Sequence, residues 1–448
     1  MDGTNERMLL RNARVMRVVV ACAVAAALPA QAAPEGNANS PRWLFVETLE
    51  EDPVPAFGSQ FGSAVDIDED VLVIGAPHFP VDGIDAGAAH VYRLVDGSWQ
   101  LEATLTSTAP QHGANFGFSV SVAVTPEREV IVVGESARDD GADVDIGKIW
   151  IYERDGSTWV NIASFSNGAS MWLGYAVDTD GTNVLAGAPA TNAFFGATFT
   201  YRRDDATGTW AFDHDTRPAG GDEMAGYYGI SVALNGDLAL TGAMAARVAN
   251  VAVGAAEISN VLADGPLDER IVLHAQEPAP GDEFGRSVAA SGSTFVVGAP
   301  GAEESASVPN SGAAYVFRRS NGQLHLDERL DSILPQENAR FGMSVAASGD
   351  LVVVGEPARD VFLLGSEFLG AGAISVYARD AWGIWEQETA FYNLGVNEGF
   401  GEAVAIDGTR AIGGMPRHGA GAAWYVERDT VFVDGFQDPL FGTRIHGT

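Results

Sequence analysis

The sequence predicts an all-β fold, a seven-bladed β-propeller of four-stranded antiparallel blades whose N-terminal strand closes the last blade. Three observations predict it. One motif recurs seven times at intervals of 55 to 59 residues. Each copy holds four strand-like segments divided by turn residues. The last copy lacks its fourth strand, and an orphan strand of that kind stands near the N-terminus. Units of this kind suit a radial array, in which neighbours bury the faces that one repeat cannot bury alone.

The first landmark is an apolar residue followed by glycine: Phe61-Gly62, Phe116-Gly117, Leu173-Gly174, Tyr228-Gly229, Phe284-Gly285, Phe341-Gly342 and Phe400-Gly401. Fourteen residues later, in six of the seven, comes a Gly-led triplet such as Gly75-Ala76-Pro77, Gly298-Ala299-Pro300 or Gly355-Glu356-Pro357. The second copy needs eighteen residues to reach Gly134-Glu135-Ser136, with Thr125 to Arg128 as the insertion. A third landmark, Gly-x-x-x-x-Tyr/Phe, follows in five copies, from Gly87 to Tyr92 through Gly372 to Tyr377.

The four strands follow from local chemistry. The segment after the pair (Ser63 to Ile67) is the first. The second, Val71 to Ile74 or Leu351 to Val354, is continuously apolar, as befits a strand buried on both faces. Asn235-Gly236, Ser348-Gly349 and Asp407-Gly408 separate the two, which is hairpin chemistry. Proline in the triplet has no N–H to give and ends the second strand. The third strand surrounds the aromatic (Ala89 to Arg93) and the fourth starts near a Trp, as in Trp99 to Leu105. The seventh copy stops at Trp424-Tyr425-Val426, and Trp43 to Leu49 supplies the missing strand, which would close the ring and cover open edges. Repeat four is the most degenerate, with Met244 for Pro and Ser259 for the aromatic, so a distorted blade is expected there.

Phe-Gly pairs followed by Gly-Ala-Pro resemble the FG-GAP repeats of the integrin α-subunit propeller, and still more the cysteine-poor FG-GAP proteins that bacteria export. The resemblance spans about Trp43 to Val426. It implies a propeller used for adhesion or ligand binding rather than for chemistry. Integrin-type repeats carry calcium loops between the two halves of the motif, and here that interval is too short. The nearest candidates are Asp66, Asp68 and Asp70. Calcium wants six to eight oxygens around a sharp turn, so these are read as solvated carboxylates of a hairpin, and no metal or cofactor is assigned.

The ends carry other signals. Arg11, Arg14 and Arg17 precede an apolar run, Val18 to Leu28, then Ala30-Gln31-Ala32, which reads as a signal peptide over residues 1–32. Met8 and Met16 are alternative starts. The run is too short to span a bilayer, and no other stretch is longer, so no membrane span is expected and the product should be exported: extracellular, on the cell surface or in the periplasm. The propeller is assigned to 41–429 and a tail to 430–448. The tail's Val431 to Gln437 resembles short terminal tails of exported proteobacterial proteins.

Of the 448 residues, 26 are Lys or Arg and 60 Asp or Glu, for a formal charge of −34. Loss of residues 1–32, which hold Arg7, Arg11, Arg14 and Arg17 but only Asp2 and Glu6, would make it −36 and remove Cys22, the single cysteine. This balance excludes a nucleic-acid partner, which calls for a basic face. Glycine, 53 residues or about 12 %, exceeds the usual ~7 %, as a glycine-bearing repeat requires.

No nucleophile elbow, zinc helix or phosphate loop occurs. The eight histidines do not recur at equivalent repeat positions and are read as loop or strand-surface residues. The chain is expected to be a monomeric non-enzyme that binds an unknown protein or glycan; a passive envelope structural protein and a secreted carbohydrate-active enzyme are the alternatives. Its binding should lie in the variable loops. The connections after the triplets and before the pairs emerge on one side of the ring and are acidic. The candidates are Asp139, Asp140, Asp143 and Asp145 in the second repeat and Glu303 and Glu304 in the fifth. The sixth repeat adds Phe362 and Phe368, in a long connection whose apolar residues either tuck over the ring, the preferred reading, or meet a partner.

Overall fold

The computed structural model describes residues 18–20, 42–51, 58–166, 168, 171–219, 226–262, 270–304 and 308–429. The seven repeats form seven antiparallel four-stranded sheets arranged as the blades of a ring. The first blade shows the pattern, with strands Ala64–Asp68, Val71–Ala76, Ala88–Val95 and Ser98–Leu105 running in order from the axis to the rim. Its second strand is buried along its whole length, as is Leu351–Glu356 in the sixth blade, because neighbouring blades pack on both faces. The insertion in the second blade only lengthens a hairpin, closed by Thr125 N–H on the Arg128 carbonyl at 2.8 Å. The fourth blade is complete, but its outer strand shrinks to Ile271–Leu273. Val18–Val20 lies parallel to the outer strand of the sixth blade, Trp385–Tyr392. The remainder of the proposed signal peptide and the whole of the tail lie outside the described residues.

The repeated motif is the joint between blades. The apolar member of every pair, from Phe61 to Phe400, is fully buried. The glycine after it adopts φ between +83° and +92°, a conformation that only glycine takes cheaply. That glycine rests on the triplet glycine of the preceding blade. A Cβ on Gly75 would lie 2.0 Å from the Gly117 carbonyl oxygen, one on Gly298 2.1 Å from that of Gly342, and one on Gly414 1.9 Å from that of Gly62. The glycine at the third-landmark position, present in all seven blades, bridges in parallel to the buried residue of the next pair, Gly87 to Phe116 and so on round to Gly421 and Phe61.

Polar side chains fasten the inner hairpins. The residue six places after the pair glycine reaches the next blade at five of the seven junctions. Asp68 accepts from Val124 N–H at 2.6 Å, and Asn235 donates to the Gly292 carbonyl at 2.7 Å. Ser291, Ser348 and Asp407 accept from Gly349, Gly408 and Glu69 N–H, each at 3.0 Å.

Ring closure follows the sequence. Arg42–Glu50 pairs antiparallel with Ala422–Asp429, Trp43 opposite Arg428 and Leu49 opposite Ala423. The same strand ties in both neighbours. Trp43 Nε1 donates to Glu388 of the sixth blade at 2.8 Å, and Glu47 accepts from Trp99 N–H of the first at 3.0 Å.

Candidate functional site

The innermost strands of all seven blades neighbour one another around the axis. Four places after the pair glycine, this inner wall carries Asp66, Ser121 and Asp178 in the first three blades and Ala233, Ala289, Ala346 and Ala405 in the rest. Asp66 accepts from Val122 N–H at 2.8 Å, and Asp178 accepts from Leu234 N–H at 2.6 Å and from Ser121 Oγ at 2.9 Å. Each carboxylate thus satisfies an N–H on the open edge of the next blade's inner strand. Burial, reinforced by the charge of Asp178, pushes Asp66 up to about 8. Burial likewise raises Asp178 to about 6.

The reading of Asp66 and Asp68 as solvated turn carboxylates is therefore corrected: both lie in a strand and are turned to the neighbouring backbone. Asp70 alone sits on the turn, paired with Arg93 at 2.9 Å. No loop wraps the three, and they do not fit a calcium site; among the described residues no group of three or more His, Cys, Asp or Glu is arranged to hold a metal. The histidines need a correction too. His90 is 3 % exposed, its Nε2 2.9 Å from Glu51 and its Nδ1 3.2 Å from Thr104 Oγ1, while Ser59 donates to Glu51 at 2.6 Å. Blade closure buries this polar cluster, which no linear spacing announces.

The variable connections do share one face, since they bond to each other. Asp139 N–H donates to Gln111 at 2.9 Å, Asp360 N–H to Gln336 at 2.9 Å, and Arg340 pairs with Glu283 at 2.7 Å. Asp139, Asp140, Asp143 and Asp145 come together in one turn, Asp140 bridged to Asp143, with Asp139 accepting from Asp145 N–H. Asp140, Asp143 and Asp145 are exposed. Glu303 and Glu304 are exposed as well, three blades away, and do not join that group. A cleft of about 260 Å³ between the fifth and sixth blades is lined by Glu283, Pro300, Gly301, Asn310, Asn338 and Arg340.

In the sixth blade the apolar connection forms a hairpin, Val361–Leu363 with Ser366–Phe368. Phe362 is 63 % and Leu364 87 % exposed, and Leu369 is also exposed. The preferred reading, tucking, holds for one side only: a two-stranded ribbon turns alternate side chains to opposite faces, so Val361 and Leu363 are half-buried while the face with Phe362 stays in water. Phe368 is half-buried.

A further feature of this face escapes the linear reading. At the mouth of the axial channel, five rings run in contact across the second, third and fourth blades. Their centroids lie 4.8 Å apart for Phe118 and Tyr175, 6.1 Å for Tyr175 and Trp172, 5.6 Å for Trp172 and Phe194, and 5.1 Å for Phe194 and Tyr227. The other side of the mouth has Glu283 and Arg286, Arg340 and Met343, Gly399 and Glu402 at the matching positions.

With this geometry in view, residues 54–92 and 268–317 match the family described as FG-GAP repeat. Both matches fall on the pair-and-triplet joints described above. The chain is an FG-GAP repeat β-propeller. Among solved structures it is similar to the crystal structure of Saccharomyces cerevisiae Sqt1, at 11 % identity over 83 % of this chain and 96 % of that one, with a TM-score of 0.46. No curated protein matches the sequence. Among the described residues of this FG-GAP propeller, no helix is long and apolar enough to cross a membrane.

Proposed function

We propose that this FG-GAP propeller is an exported, monomeric, non-enzymatic binding module of adhesion type, which engages a protein or glycan through its loop face. The observation that carries the reading is the division of labour within each repeat. The joints and inner strands do the same structural work in blade after blade, whereas the loop face differs from blade to blade. It holds an acidic turn, an exposed apolar hairpin and a row of aromatic rings. Repeat scaffolds commonly place recognition in such variable connections.

The test is a binding screen of the protein, immobilised through its C-terminus, against glycans and matrix proteins, with and without calcium. Saturable binding that loop-face substitutions abolish is the expected result. Absence of any saturable ligand, together with retention in the envelope, would favour a structural role. Turnover of a ligand, lost on changing one carboxylate, would make the protein an enzyme and overturn the reading.

A further inference from the structure

The five-ring row is not part of the core. The residues that fill the blade joints are the fully buried Phe61, Phe116, Leu173, Tyr228, Phe284, Phe341 and Phe400. The rings of the row stand beside them: Trp172 and Tyr227 at a site where the other blades carry polar residues or glycine, and Phe118 and Tyr175 at one that elsewhere holds Ser63, Ile230, Arg286, Met343 or Glu402. Phe194 is exposed, and Phe118, Trp172, Tyr175 and Tyr227 are half-buried.

Their backbone makes the same point. The residue just before each pair lies in the left-handed region in all seven blades: Gln60, Asn115, Trp172, Tyr227, Glu283, Arg340 and Gly399. Glycine, used in the seventh blade, takes this conformation without strain, whereas another residue forfeits about 1 kcal/mol. The third and fourth blades place Trp and Tyr there, at φ +54° and +62°, and Phe194 repeats the pattern at +70°. Bulky side chains in this region are outliers, and such outliers gather at functional sites. The rings at Trp172, Phe194 and Tyr227 are thus held at the channel mouth against a local backbone preference.

We propose that this row is a carbohydrate platform for oligosaccharides of free amino sugars. Three observations select that ligand class. The rings follow one another at roughly the length of a single pyranose, with planes inclined by 23° to 65° between neighbours, so a chain that turns from sugar to sugar can lay apolar C–H faces on the exposed parts of successive rings. Two amide residues stand close by in the chain, Asn115 three places before Phe118 and the exposed Asn192 two places before Phe194. The acidic turn adjoins it directly, because Trp172 N–H donates to the Asp145 carbonyl at 3.1 Å. The exposed carboxylates of Asp140, Asp143 and Asp145 repel sulfated or uronic-acid chains and attract ammonium groups. An amino-sugar chain offers both the stacking faces and the positive charge. This inference rests on the binding-module reading and names its ligand.

The test uses the full chain and three probes: a glucosamine hexamer, its N-acetylated counterpart and a lysine hexamer. Binding is followed by calorimetry and by quenching of tryptophan fluorescence. The glucosamine hexamer should bind saturably and about tenfold more tightly than the N-acetylated one at low salt. Trp172→Gly should weaken it by about tenfold or more, the loss of one stacking contact, while Tm stays level or rises because the strain is relieved. If that variant fails to fold, Tyr175→Leu serves in its place. Replacing Asp143 and Asp145 together by Asn should narrow the gap between the two sugars. Equal binding of the lysine hexamer, unaffected by Trp172→Gly, would reduce the site to charge attraction and overturn the proposal. Absence of sugar binding, alongside a matrix protein bound through the loop face, would overturn it and leave the module reading standing.

Discussion

The inner shell of the ring and its loop-face mouth are built from the same repeats, yet they obey opposite rules. In the shell, the buried aromatic or leucine, the left-handed glycine and the triplet glycine serve alike in all seven blades, because each contact is between a blade and its neighbour. A change at one position there acts on two sheets at once. At the mouth, equivalent positions hold Trp172, Glu283, Arg340 or Gly399, with no shared packing demand. The difference shows that this fold constrains what touches the next blade and leaves free what faces the solvent above it.

Four experiments press on that contrast. The largest effect should come from removing residues 42–50, which leaves the last blade three-stranded and strips partners from Glu388 and Trp99; the expected outcome is a fall of many degrees in Tm by calorimetry, and an unchanged curve would break the closure argument. Gly298→Ala comes next. Its Cβ has no room against the Gly342 carbonyl oxygen, so the cost should be about 3 kcal/mol in urea unfolding, the upper part of the range for overpacking. Ser348→Ala removes one hydrogen bond between inner hairpins and should cost about 1 kcal/mol in the same measurement. Phe362→Ser, on the exposed hairpin, should change stability by less than about 0.5 kcal/mol. A large loss there would mean that the loop face carries structural load after all.

The inner wall also gives a pH signature. The folded protein keeps the Asp66 proton up to about pH 8, whereas the unfolded chain releases it near 3.8. Between these values the folded state binds more protons, so this group makes stability fall as pH rises. In Asp66→Asn the contribution vanishes. The Tm of the variant relative to the parent should therefore climb between about pH 4 and 8, and a flat difference would show that Asp66 is ionised throughout.

Legibility in the sequence divides along the same line. The shell could be read because its constraints are local and repeated: Gly75, Gly298 and Gly414 stand fourteen residues after their pairs whatever surrounds them. Even closure was visible, since Trp43 to Leu49 has the pattern of an outer strand with nothing nearby to join. The mouth could not be read in the same way. Trp172 and Tyr227 belong to one row only when the blades are curled into a ring, and in sequence they lie more than fifty residues apart. Aligning the repeats offered the only hint, aromatic residues at the places flanking the pair in copies two, three and four. Asp66 misled for another reason. Its aspartate-rich surroundings look like a turn, and the partner that desolvates it, the edge of the second blade, is a full repeat away. The sixth-blade hairpin was legible only in part, because apolar composition alone does not say which side of a ribbon faces water.

The pairing of residues 42–50 with 422–429 also sets an order of events. The seventh sheet has its outermost and its inner strands from opposite ends of the chain, so it cannot assemble while either end is still being delivered. Earlier blades can form hairpin by hairpin from local contacts, but the step that joins first to last has the largest sequence separation in the molecule and the highest loop-closure cost. Until then the first blade lacks a finished neighbour and the ring can spring open. The circular architecture thus behaves as a latch that engages only once the whole length between Arg42 and Asp429 is on the same side of any barrier it must cross.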